Sequence, residues 1–264
     1  MWMGFEPGFW LLAAIAVLIT GISKSGFAGG VGVVAVPLMS LYIDPRQAAA
    51  IMLPLLLLMD FFSVRVWWGK QNLQEFWRLI GPAAIGIAIG YALFGWLNAE
   101  IIKMMLGILS LAFAVWGLSN NLQLGEQQQG RLLVARLCGL TTGFTSFVAH
   151  AGGPPLNLYL LPLRLPRQEY LATVVVTIAC VNVIKLIPYG LLGQLSTGNL
   201  LTAVMLMPIA WVGVRYGVKL QAVIDDKTFY RVIFDGYVSD SNSPSCWCGF
   251  VVCCQSTRPI GLRY

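Results

Sequence analysis

Ser23-Lys24-Ser25-Gly26-Phe27-Ala28-Gly29-Gly30-Val31-Gly32 interrupts apolar runs at a place where a membrane segment would be uniformly greasy. The stretch is polar, rich in glycine and carries a lysine. Glycine removes the Cβ barrier to unusual backbone angles and lets a ligand approach the main chain closely. A helix restarting at Val31 would aim free N–H groups and a partial positive charge back at the break. Two readings follow: a connecting loop between two spans, or an anion site at membrane depth.

Composition sets the frame for both. The chain has 264 residues, 58% hydrophobic and only 11% charged, against about a quarter charged in an ordinary soluble domain. It reads as an all-α polytopic membrane protein, because a helical bundle leaves no backbone polar group unpaired in hydrocarbon. The net charge of +6 does not indicate nucleic acid, since Lys and Arg are scattered through short connectors without a basic stripe. The N-terminus lacks a basic region and a small-residue cleavage site, so the first apolar run is expected to stay. Of six cysteines, Cys138 and Cys180 lie in apolar segments and four crowd the tail, which is no disulfide framework.

The apolar runs are Phe9–Ile22, Val31–Tyr42, Ala48–Val66, Leu79–Leu97, Ile101–Leu118, Leu132–Val148, Pro155–Leu165, Leu171–Leu192 and Leu200–Val218. This gives about 8–9 membrane segments. Val31–Tyr42 and Pro155–Leu165 fall short of the ~20 residues a span requires, and each follows a glycine break. That correspondence points to an internal repeat. Pro45-Arg46-Gln47 is answered by Pro166-Arg167-Gln168, Trp68-Gly69 by Tyr189-Gly190, and Gly86, Gly90 and Leu93 by Gly213, Gly217 and Leu220. The expected organisation is a first repeat over 1–120, a polar linker over 121–130, a second repeat over 131–234 and an atypical tail over 235–264.

Charge gives orientation. If the pieces beside each break form a pair of spans or a re-entrant hairpin, one set of connectors holds Arg65, Lys70, Arg78, Arg131, Arg136, Arg164, Arg167, Arg215, Lys219, Lys227 and Arg231. The other holds Arg46, Lys103 and, loosely, Lys185. The positive-inside rule then puts the first set in the cytoplasm and the N-terminus outside. The same parity gives two inverted-topology repeats with interrupted or re-entrant short helices, a transporter design whose site lies where the breaks meet.

The second break runs from Gly143 to Asn157 and contains Ser146, the single histidine His150, and Gly152-Gly153-Pro154-Pro155. Prolines suit the first turn of a helix, where their missing N–H is no loss. The two breaks therefore offer helix N-termini able to converge on one anion. His150 reads either as a packed imidazole or as an anion ligand or proton carrier. Lys24 either faces a wet cavity or snorkels to the headgroups. Asn182 and Lys185 share a helical face, as do Asp60 and Ser63. Asp60 is a counter-ion to Lys24 or Lys185, a coupling carboxylate, or half of a structural ion pair.

Other chemistries find less support. There is no phosphate-loop motif, no zinc constellation of useful spacing, and no elbow motif or third partner to make Ser146 and His150 a hydrolase pair. No cofactor is implied and the chain is not read as an enzyme. Gly86, Gly90, Gly213 and Gly217 fit close helix packing.

The residues Ser23–Gly30 with Val36-Pro37-Leu38, Gln47–Ile51 and Ser146–Pro155 resemble those of the TauE/SafE family of membrane transporters, also called sulfite exporters. Asn182–Tyr189 and Phe229–Ile233 extend the resemblance, which covers about residues 9–233. It implies movement of small anions, especially sulfite and organosulfonates, across the bacterial cytoplasmic (inner) membrane. The tail departs from the family pattern: after Phe234 an apolar span should follow, yet the chain continues Asp235-Gly236-Tyr237-Val238-Ser239-Asp240 and reaches Cys246, Cys248, Cys253 and Cys254. The last span is expected to be lost or replaced, leaving a poorly packed tail or, through its cysteine pairs, a metal-binding one.

The resulting expectation is a secondary transporter of a small sulfur-containing anion, working by alternating access. Lys24, Ser25, Gly26, Gly29, Gly30, Ser146, His150, Gly152, Gly153, Asn157 and Asn182 are its candidate substrate-binding residues, with Asp60 and Lys185 for coupling or charge balance. Its partners are the anion, the lipid bilayer and a possible coupled proton. A non-transporting membrane assembly subunit and a passive anion channel are the rival readings.

Overall fold

The computed structural model describes residues 6–26, 34–94, 96, 100–102, 104–105, 108 and 128–223. Gly29, Gly30, Lys103 and the tail from Asp235 lie outside the described residues, as do most of the runs 101–118 and 224–234. Among the described residues there is no strand. The long helices are α1 (Pro7–Gly26), α3 (Pro45–Trp67), α4 (Leu73–Leu93), α5 (Gln128–Ala149), α7 (Arg167–Leu191) and α8 (Thr197–Val223). All six are long and apolar enough to cross a membrane. Two short helices stand beside the breaks: α2 (Ala35–Met39) and α6 (Gly153–Leu160), the latter continued by a 3-10 turn over Leu161–Leu163. At 1.5 Å per residue α6 is only about 12 Å long.

Local chemistry explains most of the boundaries. Asp44 caps α3 by accepting from the Arg46 N–H at 2.8 Å, and Pro45 opens the first turn. Asn72 caps α4 by accepting from the Glu75 N–H at 3.0 Å. The helix α6 begins two residues before the apolar run that announced it, because Pro154 and Pro155 fit inside its first turn. Likewise α5 begins at Gln128, inside the stretch expected as linker.

Helix directions follow from the contacts. At the upper end, Gly8 of α1 lies against Tyr42 beyond α2, Arg46 of α3 donates to the Phe94 carbonyl after α4, and Gln47 donates to Asn199 of α8. At the lower end, Tyr159 of α6 donates to Glu75 of α4 at 2.5 Å. There Asn72 also bonds Glu169 and Thr173 of α7. Thus α1, α3 and α8 begin above, whereas α4, α5 and α7 begin below. Each short helix returns the chain to the end from which the helix before it started.

Two close crossings hold this arrangement. Gly86 of α4 meets the backbone of Leu140 and Phe144 on α5, and Gly143 of α5 meets the Ala83 backbone. Gly213 of α8 meets Leu18 and Gly21 on α1, and Gly217 meets Ile22 and Ser25. Lipid offers helices little hydrophobic drive to associate, so such backbone-to-backbone approach at small residues carries the packing. The side chains form a large core around α1, α3 and α8, with Phe147 and Tyr189. A second core at the lower end gathers Trp67, Leu79, Tyr159 and Tyr170.

Candidate functional site

The second break is built by its hydrogen bonds. The His150 N–H closes the last turn of α5 on the Ser146 carbonyl at 3.0 Å, and the backbone of His150 then turns left-handed at φ 54°. That position after a helix usually belongs to glycine. Thr145 fixes the reversal, its hydroxyl donating to the Ala151 carbonyl at 2.9 Å and its own carbonyl accepting from the Ala151 N–H at 3.2 Å. Gly152 then caps α6, so tightly that a Cβ there would stand 2.9 Å from Ser146 Cβ and 3.1 Å from the Thr142 carbonyl. Because Pro154 and Pro155 carry no N–H, the donors at this helix start are the N–H groups of Gly152 and Gly153.

Both nitrogens of the imidazole are engaged. Nε2 lies 2.8 Å from the Ala49 carbonyl of α3, which can only accept, so Nε2 carries the proton. Nδ1 lies 2.8 Å from Lys185 Nζ and accepts from it. This is a neutral imidazole with its tautomer set by its partners. Lys185 is fully buried and donates to the Ser146 carbonyl and hydroxyl as well, each at 2.9 Å. Tyr189, one turn further along α7, stacks on His150 and donates to the Phe147 carbonyl at 2.7 Å.

The other charged residues form a second group. Lys24 of α1 pairs with Asp60 of α3 at 2.8 Å and donates to the Leu56 carbonyl at 3.3 Å. Asn182 of α7 donates to the other Asp60 oxygen at 2.6 Å. Of the roles open to Asp60, the geometry realises the ion pair with Lys24; among the described residues no bond joins it to Lys185. Asn182 thereby satisfies the second oxygen of this buried pair.

Between the two groups lies a void of about 30 Å³, lined by Thr20, Lys24, Leu56, Ser146, His150, Gly152, Gly153, Ile178 and Asn182. That is room for about two waters. Above it, Phe94, Phe147, Tyr189 and His150 make a run of ring contacts, with the Arg46 guanidinium 4.8 Å from the Phe94 centroid. Below it stand the Tyr159–Glu75 and Tyr170–Asn157 bonds. A larger groove of about 650 Å³ runs along the flank between α3 and α7; it is mostly apolar and reaches Asp60 from the side.

The structure thus gathers Lys24, Asp60, Ser146, His150, Gly152, Gly153, Asn182 and Lys185 around one point. Ser25 turns away, its hydroxyl donating to the Gly21 carbonyl at 2.7 Å with the Val214 carbonyl of α8 3.2 Å away. Asn157 sits lower, accepting from Tyr170 Oη at 2.9 Å. Gly26 ends α1, and Gly29 and Gly30 lie outside the described residues. Thr20, Leu56, Ile178 and the Ala49 carbonyl were not anticipated. Thr20 and Ile178 stand one helical turn before Lys24 and Asn182, so i,i+4 spacing was the available signal; the carbonyls have none.

Comparison with known proteins follows the same lines. No curated protein and no solved structure matches the chain. The family model described as "Sulfite exporter TauE/SafE" matches residues 13–238. The chain belongs to the TauE/SafE sulfite exporter family.

Proposed function

We propose that this protein is a secondary transporter of a small sulfur-containing anion, sulfite or a compact organosulfonate, working by alternating access around the void between the two breaks. The observation that carries the reading is its charge count. Two lysines, 6% and 0% exposed, face one carboxylate. Asp60 is already paired with Lys24, and among the described residues Lys185 meets only neutral acceptors. An ammonium buried without a counter-charge is costly, and an anion in the void supplies that charge. Lys24, Lys185, Asn182 and the N–H groups of Gly152 and Gly153 then bind its oxygens, with the His150 imidazole holding Lys185 in place.

In this reading Asp60 balances Lys24, and the anion balances Lys185, whose ammonium is held by Ser146 and His150. The ring contacts above the void and the Tyr159–Glu75 and Tyr170–Asn157 bonds below it favour a carrier over a passive channel. The lower end carries Arg65, Lys70, Arg78, Arg164, Arg167, Arg215 and Lys219, and the upper end Arg46. By the positive-inside rule the lower end faces the cytoplasm of a bacterial inner membrane and the N-terminus faces outward. Inverted repeats over 1–120 and 131–234 account for the opposite directions of α1 and α5, of α3 and α7, and of α4 and α8. Flux of radiolabelled sulfite into proteoliposomes tests the proposal: Lys24→Ala and His150→Ala should each abolish saturable uptake, and unchanged flux in both defeats the site.

A further inference from the structure

Three buried polar groups on α5, α6 and α7 have nothing to bond among the described residues. Thr142 Oγ1, Asn157 Nδ2 and Thr177 Oγ1 have no hydrogen-bond partner among the described residues, and their residues are 0%, 1% and 0% exposed. Other hydroxyls in the bundle behave differently. Thr20, Ser63, Thr141, Thr173 and Thr202 each donate to the carbonyl four residues back. That is the ordinary refuge of a hydroxyl in an apolar helix, and Thr142 and Thr177 do not take it. A buried polar group left unpaired costs free energy, so three together require an explanation.

Their placement supplies one. Thr142 is one turn below Ser146 on α5, Asn157 one turn below Gly153 on α6, and Thr177 two turns above Tyr170 on the same face of α7. Thr142 and Asn157 thus lie a turn below void-lining residues, and Thr177 directly precedes void-lining Ile178. Cys138, Leu156, Leu160 and Val174 on the same helices belong to the lower core. The upper side has aromatic rings instead, with the Tyr189 hydroxyl satisfied.

We infer that the lower way out of the void runs between α5, α6 and α7, past Thr142, Asn157 and Thr177, and that these groups lie idle here because the route is shut. This rests on the reading of the void as the anion site. When the route opens, two hydroxyls and an amide NH2 face the passing ion. They are neutral donors that replace its water without holding it as a lysine does. Asn157 also carries the latch: its oxygen accepts from Tyr170, while its NH2 remains free for the anion.

The test compares Thr142→Val, Thr177→Val and Asn157→Leu, near-isosteric changes that remove the polar groups, in melting temperature, sulfite-induced thermal shift and proteoliposome flux. The inference predicts melting temperatures equal to or above that of the wild type for the two threonine variants, where no native bond is lost, and a lower one for Asn157→Leu, which loses the Tyr170 bond. It further predicts a thermal shift preserved within twofold in sulfite concentration, and flux reduced tenfold or more. Variants that transport as the wild type does would overturn it. So would loss of the thermal shift alongside flux, which would move these residues into the site itself. A wild type without any sulfite response in either assay defeats the underlying reading of the void instead, and the route with it.

Discussion

Replacing Asp60 by asparagine removes one charge and almost no volume from the centre of the bundle. In the native structure the two carboxylate oxygens serve two donors, Lys24 Nζ at 2.8 Å and Asn182 Nδ2 at 2.6 Å. The amide has a single acceptor oxygen, so one donor loses its partner and Lys24 loses its counter-charge. Lys24 retains only the Leu56 carbonyl at 3.3 Å. Removing one member of a buried pair costs about 3–5 kcal/mol, mostly as the penalty of the charge left behind. Lys24→Met should cost a similar amount by stranding the carboxylate. The double variant strands neither charge, and its amide still accepts from Asn182, so it should lie within about 2 kcal/mol of the wild type, neutral replacement of a buried pair being well tolerated. The assay is reversible unfolding by SDS in bicelles, with all four proteins in one double-mutant cycle. Single variants that cost less than about 1 kcal/mol, with effects that add to within ~0.5 kcal/mol, would refute the reasoning.

Gly86→Val places a side chain against the backbone of Leu140 and Phe144 and should destabilise by about 1–3 kcal/mol through overpacking. Gly81→Ala on the same helix has nothing within 4 Å of its new Cβ and should stay within about 0.5 kcal/mol of the wild type; the same SDS titration checks both. Tyr159→Phe removes the 2.5 Å bond to Glu75 and should cost about 1.5–3 kcal/mol, the range for hydrogen bonds to charged groups. If that bond also latches the lower closure, amide exchange at the start of α4 should rise in the same variant.

Much of this fold is legible in the chain because hydrocarbon imposes coarse, strong rules. A run of about 20 apolar residues must be a helix, and the two runs too short to span sit directly after the glycine breaks. The candidate site was legible where an ionisable residue stands in an apolar setting. Lys24, Asp60, His150 and Lys185 each stand out for that reason, and they meet. Face was harder to judge than depth. Ser25 follows Lys24 by one position, which is about 100° around a helix, and it therefore faces α8 instead of the void. Asn157 lies one turn beyond Gly153 and belongs to the lower closure. The Ala49 and Leu56 carbonyls were invisible, since every residue has a carbonyl and only tertiary packing selects which will bind a side chain. The pairing of Lys185 with His150 and of Lys24 with Asp60, instead of Lys185 with Asp60, depends on which face each helix turns inward.

The central claim is that one anion sits among Lys24, Lys185 and His150, and sulfite flux into proteoliposomes measures it most directly. Wild type, Lys24→Ala, His150→Ala and Lys185→Met should be run side by side at equal reconstituted protein and with melting temperatures recorded. The account predicts saturable uptake by the wild type and loss of at least tenfold in every variant, including those that still melt cooperatively. Saturable uptake that survives unchanged in folded Lys24→Ala and His150→Ala would contradict it.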